Sequence, residues 1–309
     1  MAKSSRLNRT SVLSRLTVAA ITAALVGTTT AATAADAPKP AVSARAAVEQ
    51  PASGANAFAA DATAAAQVNF LQGVNSAGTI WCYEPVGGGG IQRLAESCGT
   101  NWTQHKHFSQ ADLDGSGFAN GMYTVKGGNL NYTPWGGNPR YIGSGWGIYN
   151  EVLSAGNTGG GIADDILARD ADGVLWHYLA YGNGSLTGRK RVGGGWNQYT
   201  QIAGKGDITG DGRADVVAKD RNGYLWLYKG TGSHATPFTG RVRIGTGWNW
   251  FNLLVSPGDL NFDGKADLVA RDRDGGLWLY PGKGVNTTSP YGARKKIGTS
   301  GWNSFREMF

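Results

Sequence analysis

The sequence predicts an all-β chain: a five-bladed β-propeller of four-stranded blades, preceded by a signal peptide and a disordered leader. Three observations predict it. A tryptophan phrase returns about every 50 residues, each return holds four strand-like runs, and no stretch within them carries a helical period.

The returns are read from "GSGWGIY" at Trp146, "GGGWNQY" at Trp196, "GTGWNWF" at Trp248 and "TSGWNSF" at Trp302, with a weaker first copy, "GTNWTQH", at Trp102. A second phrase keeps the same register: "TIWCY" at Trp81, "VLWHY" at Trp176, "YLWLY" at Trp226 and "GLWLY" at Trp278, with only the second copy reading "NLNYT" instead. That makes five copies. Within the fourth, "ADVVAKD", "GYLWLY", "GRVRIG" and "WFNLLV" are runs rich in β-branched and aromatic residues, bounded by Gly, Asn and Asp. Four strands in about 50 residues make one blade, which buries its faces only by stacking on its neighbours around an axis.

Ahead of the repeats, residues 1–34 carry Lys3, Arg6, Arg9 and Arg15, then "LTVAAITAALVG", then small residues ending "ATA". This is the order of a secretory signal peptide. Its apolar run of about twelve residues is too short to span a bilayer. Residues 35–63, rich in Ala, Pro and Ser, read as a disordered leader, and residues 64–309 as the propeller. Without the signal, 25 of the 29 basic residues face 22 acidic ones, so the net charge falls from +7 to +3. No Lys/Arg block remains, which argues against nucleic acid as a partner. The expected product is secreted, extracellular and monomeric. Its only cysteines, Cys82 and Cys98, are expected to pair in that oxidising environment.

Aspartates cluster at the start of the second to fifth copies, and the first copy has no acidic loop. In the fourth, Asp207, Thr209, Asp211, the carbonyl of Arg213 and Asp215 stand at loop positions 1, 3, 5, 7 and 9 around Gly212. The fifth repeats this with Asp259, Asn261, Asp263, Lys265 and Asp267, and the second keeps Asp112, Asp114, Ser116 and Asn120. Oxygen donors at odd positions around a glycine turn suit Ca²⁺ in a structural role. An EF-hand is excluded, because position 12 is Ala218 or Ala270 inside a strand-like run. The third copy, "NTGGGIADD", retains Asn157 and Asp165 only, and no metal is expected there. The alternative for all these residues is the Asx-turn. The later clusters "RDADG", "KDRNG" and "RDRDG" read as hairpin turns.

The phrase "DxxxDGxxDxxxxD…LWxY…GW" resembles the FG-GAP or VCBS-type repeat of secreted bacterial proteins, related to the blades of the integrin α head. Five copies ending "GxGWxxF" are also similar to tachylectin-type five-bladed lectins. The resemblance covers residues 64–309 and is strongest in the last two copies. It implies the β-flanked calcium loop, with Asp at position 9, and shallow sugar sites between blades. On that basis Trp176, Tyr178, Trp226, Tyr228, Trp278 and Tyr280 are candidate ligand residues, with core packing as the alternative, and the "GW" tryptophans are assigned to the core.

Catalysis has little to work with. Neither "GxSxG" nor "HExxH" occurs, and Glu49, Glu84, Glu96, Glu151 and Glu307 stand in no repeated or paired setting. His105 and His107 lack a visible third metal ligand and read as surface residues. The expected function is a calcium-stabilised module that binds a glycan or cell-surface polysaccharide. The alternatives are a propeller that binds another secreted protein, as an adhesin or inhibitor, and a hydrolase.

Overall fold

The computed structural model describes residues 66–309; the expected signal peptide and leader lie outside them. The described residues form five antiparallel sheets of four strands each. The only helical elements among them are short 3-10 turns, so the all-β reading holds. Blade 2 runs outward from His105–Ala111, blade 3 from Tyr149–Leu153, blade 4 from Tyr199–Ala203 and blade 5 from Phe251–Gly258. Blade 1 is composite: Leu71–Asn75, Ile80–Pro85 and Ile91–Arg93 come from the start of the domain, while the innermost strand Phe305–Met308 comes from its end. One sequence copy is therefore offset from one blade by a strand. That offset closes the ring, because the last copy's final strand can pair only with the first copy.

Local chemistry explains the repeated phrases. Each "GW" tryptophan opens a 3-10 turn whose preceding glycine is left-handed, with φ from 77° at Gly247 to 88° at Gly301. A side chain at these positions would strain the backbone. The tryptophans themselves are buried between blades, Trp146, Trp196, Trp248 and Trp302 among them. Each packs against the tyrosine of the following "LWxY" phrase, at ring-centroid distances of 4.8 Å for Trp146–Tyr178, 4.6 Å for Trp196–Tyr228 and 4.7 Å for Trp248–Tyr280.

The basic residue before each hairpin aspartate is a staple between neighbouring blades. Arg169 Nη1 donates to the carbonyls of Trp196 and Tyr199, Arg271 Nη1 to those of Trp302 and Phe305, and Lys219 Nζ to that of Phe251. The hairpin aspartates behave as expected. Asp170, Asp220 and Asp272 accept amides across the turn, and each takes the indole N–H of the tryptophan six residues on, at 2.7–2.8 Å. Cys82 and Cys98 are joined, pinning the outer part of blade 1.

On the face that carries the acidic loops, the segment Ala66–Asn69 crosses the end of the propeller axis. The amide of Ala66 donates to Gly264 O, that of Val68 donates to Gly117 O, and Gln67 Nε2 donates to Asp164 at 2.6 Å. Asp164 also receives Lys205 Nζ at 2.6 Å, so a buried ion pair anchors the strap. Gly258 allows the approach: a Cβ there would lie 1.9 Å from Gln67 O.

Candidate functional site

The acidic loops divide their labour by position. At position 1, Asp207 accepts the amides of Thr209, Gly210 and Gly212, and Asp259 accepts those of Asn261, Phe262, Asp263 and Gly264. Asp112 does the same for residues 114–117. At position 9, Asp215 accepts Ile208 N, Thr209 N and, across the blade, Gly230 N. Asp267 accepts Leu260 N and Gly282 N. Asn120 stands in with Leu113 N and the Tyr132 hydroxyl. Burial is the main cause that raises Asp215 to about 6 and Asp267 to about 7, against the pull of these amides.

Asp165 shows what position 9 does. Its loop has Gly161 where the others have a position-5 carboxylate, yet it accepts Thr158 N, Gly159 N and Ala180 N in the same pattern. The amide cage is thus common to loops with and without the full acidic set. The position-5 carboxylates of Asp211 and Asp263 are exposed and each takes one loop amide, from Arg213 and Lys265. Positions 1, 3 and 5 supply the hard oxygen donors that calcium takes. Among the described residues, no three carboxylate, imidazole or thiolate groups are gathered into a metal cluster.

The six aromatic candidates are placed between blades. Trp176, Trp226 and Trp278 are half-buried, and an arginine from the outermost region of the same blade lies over each: Arg189 at 4.0 Å, Arg241 at 4.1 Å and Arg294 at 4.5 Å from the ring centroid. Tyr178 and Tyr228 close the inner side, with hydroxyls 2.5 Å and 2.6 Å from those of Tyr149 and Tyr199. The arginines are tied down as well. Arg189 donates to the Tyr149 hydroxyl, Arg241 to Gln198 Oε1 and the Tyr199 hydroxyl, and Arg294 lies over Trp250. These three junctions are filled from within.

The junction between blades 5 and 1 is different. Ser304 and Phe305 stand where the 3–4 junction has Gln198 and Tyr199, and the Ser304 hydroxyl turns to Gly301 O. Neither reaches the local arginine, Arg93, which lies 4.7 Å over Trp81. The result is a groove of about 450 Å³ lined by Trp81, Tyr83, Arg93, Asn75, Ser300 and Trp302. Tyr83 packs on Trp302 at 4.5 Å, and burial raises its hydroxyl while Arg93 opposes that shift. Trp81, Tyr83 and Arg93 were not among the sequence candidates, although "TIWCY" belongs to the repeated phrase. The signal was the pair Ser304 and Phe305 in the preceding copy.

A second concavity runs along the axis, about 300 Å³, with Asn69 of the strap among its lining. The fifth residue after each "GW" tryptophan faces it: His107, Glu151, Gln201, Leu253 and Glu307. This corrects two sequence readings. Glu151 and Glu307 do share a repeated setting, visible only once the offset from tryptophan is counted. His107 is a lining residue, turned inward by a bulge between Lys106 and Ser109 and by its own positive φ of 56°. His105 instead hydrogen-bonds Thr124 Oγ1.

Comparison with known proteins adds one specific match. Residues 207–270 match the family model of the FG-GAP-like repeat. That span contains the fourth loop, the fourth "LWLY" phrase and the fifth loop, which are the copies where the resemblance was strongest. No curated protein matches the chain. Solved structures of related outline include human WBSCR16, at 12% identity over 73% of this chain and 65% of that one, with a TM-score of 0.33. A chain from the crystal structure of Kap60 bound to yeast RCC1 (Prp20) matches at 11% over 75% and 60%, with a TM-score of 0.39. BBS1N in complex with ARL6DN gives 11%, 74%, 64% and 0.37. The chain spans less than two thirds of each, and at these scores the likeness carries no argument about its role.

Proposed function

We propose that the protein is an exported binding module that takes a glycan in the groove between blades 5 and 1, with calcium as a structural ion in the acidic loops of blades 4 and 5. The observation that carries this reading is the open groove itself. Three junctions fill the corresponding space with a tethered arginine or a second tryptophan, and this one leaves aromatic walls beside an untethered guanidinium and the Asn75 amide. An aromatic face covers the apolar side of a pyranose, and charged or amide donors take its hydroxyls. The calcium part is supported by the all-oxygen donors at positions 1, 3 and 5, with Asp207, Thr209 and Asp211 in one loop and Asp259, Asn261 and Asp263 in the other. The disulfide fits an exported chain.

A glycan array with the mature protein, with and without calcium, tests it. Trp81→Ala is expected to abolish binding at some cost in melting temperature, because Trp81 also packs on the buried cluster at this junction, and Trp81→Phe to weaken binding while keeping most of the stability. Equal binding by the alanine variant, or no bound glycan at all, overturns the groove assignment. A protein partner is the second reading. It is favoured by the exposed Val86, Phe118, Trp135, Ile162, Tyr181, Phe262 and Val285, all in loops on the acidic-loop face.

A further inference from the structure

The axial cavity is a site of its own. Its lining shares no residue with that of the groove, and neighbouring blades contribute different residue types to its wall. His107, Glu151, Gln201, Leu253 and Glu307 ring the channel near the starts of the innermost strands, at the end opposite the Ala66–Asn69 strap.

Four of the five side chains are polar, and most already brace the next blade. Glu151 Oε1 accepts Ile202 N at 3.2 Å, Glu307 accepts Phe108 N at 2.6 Å and His107 N at 3.2 Å, and Gln201 Nε2 donates to Asn252 O at 2.5 Å. Bracing alone does not exhaust them. Three buried side-chain N or O atoms among the described residues have no hydrogen-bond partner, and two of these, His107 Nε2 and Gln201 Oε1, belong to this ring. Buried polar atoms are nearly always paired with protein or with a bound molecule, so two orphans at one cavity point to an occupant.

The wall dictates the chemistry of that occupant. The Gln201 amide is oriented by its bond to a carbonyl, so Oε1 can only accept. The carboxylates of Glu151 and Glu307 also only accept when ionised. Glu151 is balanced by Arg169 Nη2 at 2.9 Å, whereas the nearest cation to Glu307 is Arg306 at 3.9 Å, on the solvent side. Arg169 and Lys205 of the same lining are taken up by Glu151 and Asp164, so Glu307, which burial raises to about 7, is the less neutralised charge once ionised above that pH. Leu253 supplies an apolar fifth position, and His107, lowered to about 4 chiefly by burial and then by Lys106, presents a neutral ring. A donor-rich cation with a short hydrocarbon stem matches acceptors, charge and the leucine together. Its volume is bounded by a cavity at the small end of the ligand-pocket range.

We propose that the axial cavity binds a primary ammonium group on a short aliphatic stem, with the ammonium at Glu307 and Gln201 and the stem against Leu253. The same chemistry comes from a free alkylamine or from a lysine side chain. Titration calorimetry of the mature protein with n-butylammonium, n-butanol and Nα-acetyl-lysine N-methylamide tests it. Saturable binding of n-butylammonium and none of n-butanol is expected. Glu307→Gln, which keeps the shape and one acceptor, should weaken binding at least tenfold, and Leu253→Phe should block it by filling the stem site. Trp81→Ala should leave it unchanged, which separates this site from the groove. Binding of the lysine derivative as well assigns the source to a protein side chain, and its exclusion assigns it to a free amine. No heat with n-butylammonium, equal heats with n-butanol, or full affinity in Glu307→Gln would show that solvent alone fills the cavity and would overturn the proposal.

Discussion

Asp165→Ala tests whether the position-9 carboxylate is a brace or a metal ligand, because its loop lacks the position-5 carboxylate that calcium would need. The substitution removes the acceptor of Thr158 N at 3.0 Å, Gly159 N at 2.7 Å and Ala180 N at 3.1 Å. Asp165 is 2% exposed, so water cannot replace it without opening the blade. Stranding a buried donor costs about 1–3 kcal/mol. Taking the low end for each of the three gives about 3 kcal/mol, and for a domain of this size that lowers the melting temperature by roughly 6–12 °C. His177, fully buried with Nε2 3.5 Å from Asp165 Oδ2, keeps Thr158 Oγ1 at 2.9 Å and adds little to the loss.

The assay is thermal and urea unfolding in chelator and in calcium, with Asp211→Ala beside it. Asp165→Ala should fall by the same amount in both. Asp211 is exposed and accepts one amide, at 3.1 Å, so Asp211→Ala should cost under about 0.5 kcal/mol in chelator and lose part of the gain that calcium gives the wild type by linkage. A native-like melting temperature for Asp165→Ala would refute the brace. Identical wild-type curves in chelator and calcium would refute the ion.

Two further outcomes follow from the packing. Burial pushes Glu151 and Glu307 up to about 7 from 4.5, so the folded state holds more protons than the unfolded one between those values. Stability should fall as pH rises through that window and level off above it, by up to about 3 kcal/mol per group, and Glu307→Gln should flatten the slope of melting temperature against pH. Trp226→Phe removes the indole bond to Asp220 and much of the Arg241 contact, and should cost about 2 kcal/mol in urea unfolding with glycan binding unchanged, whereas lost binding with stability held would make Trp226 a platform.

The repeat was legible because each blade must solve the same problem. A left-handed glycine before a tryptophan wedge recurs four times and an aspartate closes the hairpin in blades 3, 4 and 5, so these residues return in phase and periodicity finds them. The acidic loops were legible as glycine turns headed by Asp207 and Asp259, whose carboxylates gather the loop amides, while the calcium expected there is what the chelator comparison tests. What could not be read was which face of Trp226 meets solvent. Strand alternation puts Trp226 and Tyr228 on one side, but Arg241 arrives from fifteen residues beyond Trp226, after a loop, and its position depends on Gln198 and Tyr199 in the preceding copy. Ring closure was hidden as well, since the pairing of Phe305–Met308 with Leu71–Asn75 joins the two ends of the domain. His107 escaped because a bulge breaks the period-2 pattern on which a surface assignment rests.

Both concavities arise where the copies stop agreeing. At the inter-blade position, Gln198 and Tyr199 give way to Ser304 and Phe305, and the loss of one long amide and one hydroxyl frees Arg93 and opens the groove. At the axis, the fifth residue after tryptophan is never the same in neighbouring blades, although the strands around it superpose in role. A residue that every blade needs for folding is constrained by packing in all five, so it is poorly placed to give one site a specificity the others lack. A position that touches the same surroundings but varies in chemistry is free of that constraint. In this propeller, the residues of Trp146, Trp196, Trp248 and Trp302 hold the ring, and the unequal residues beside them, Arg93 with Ser304 and Glu307 with Gln201, are where selective binding has room to develop.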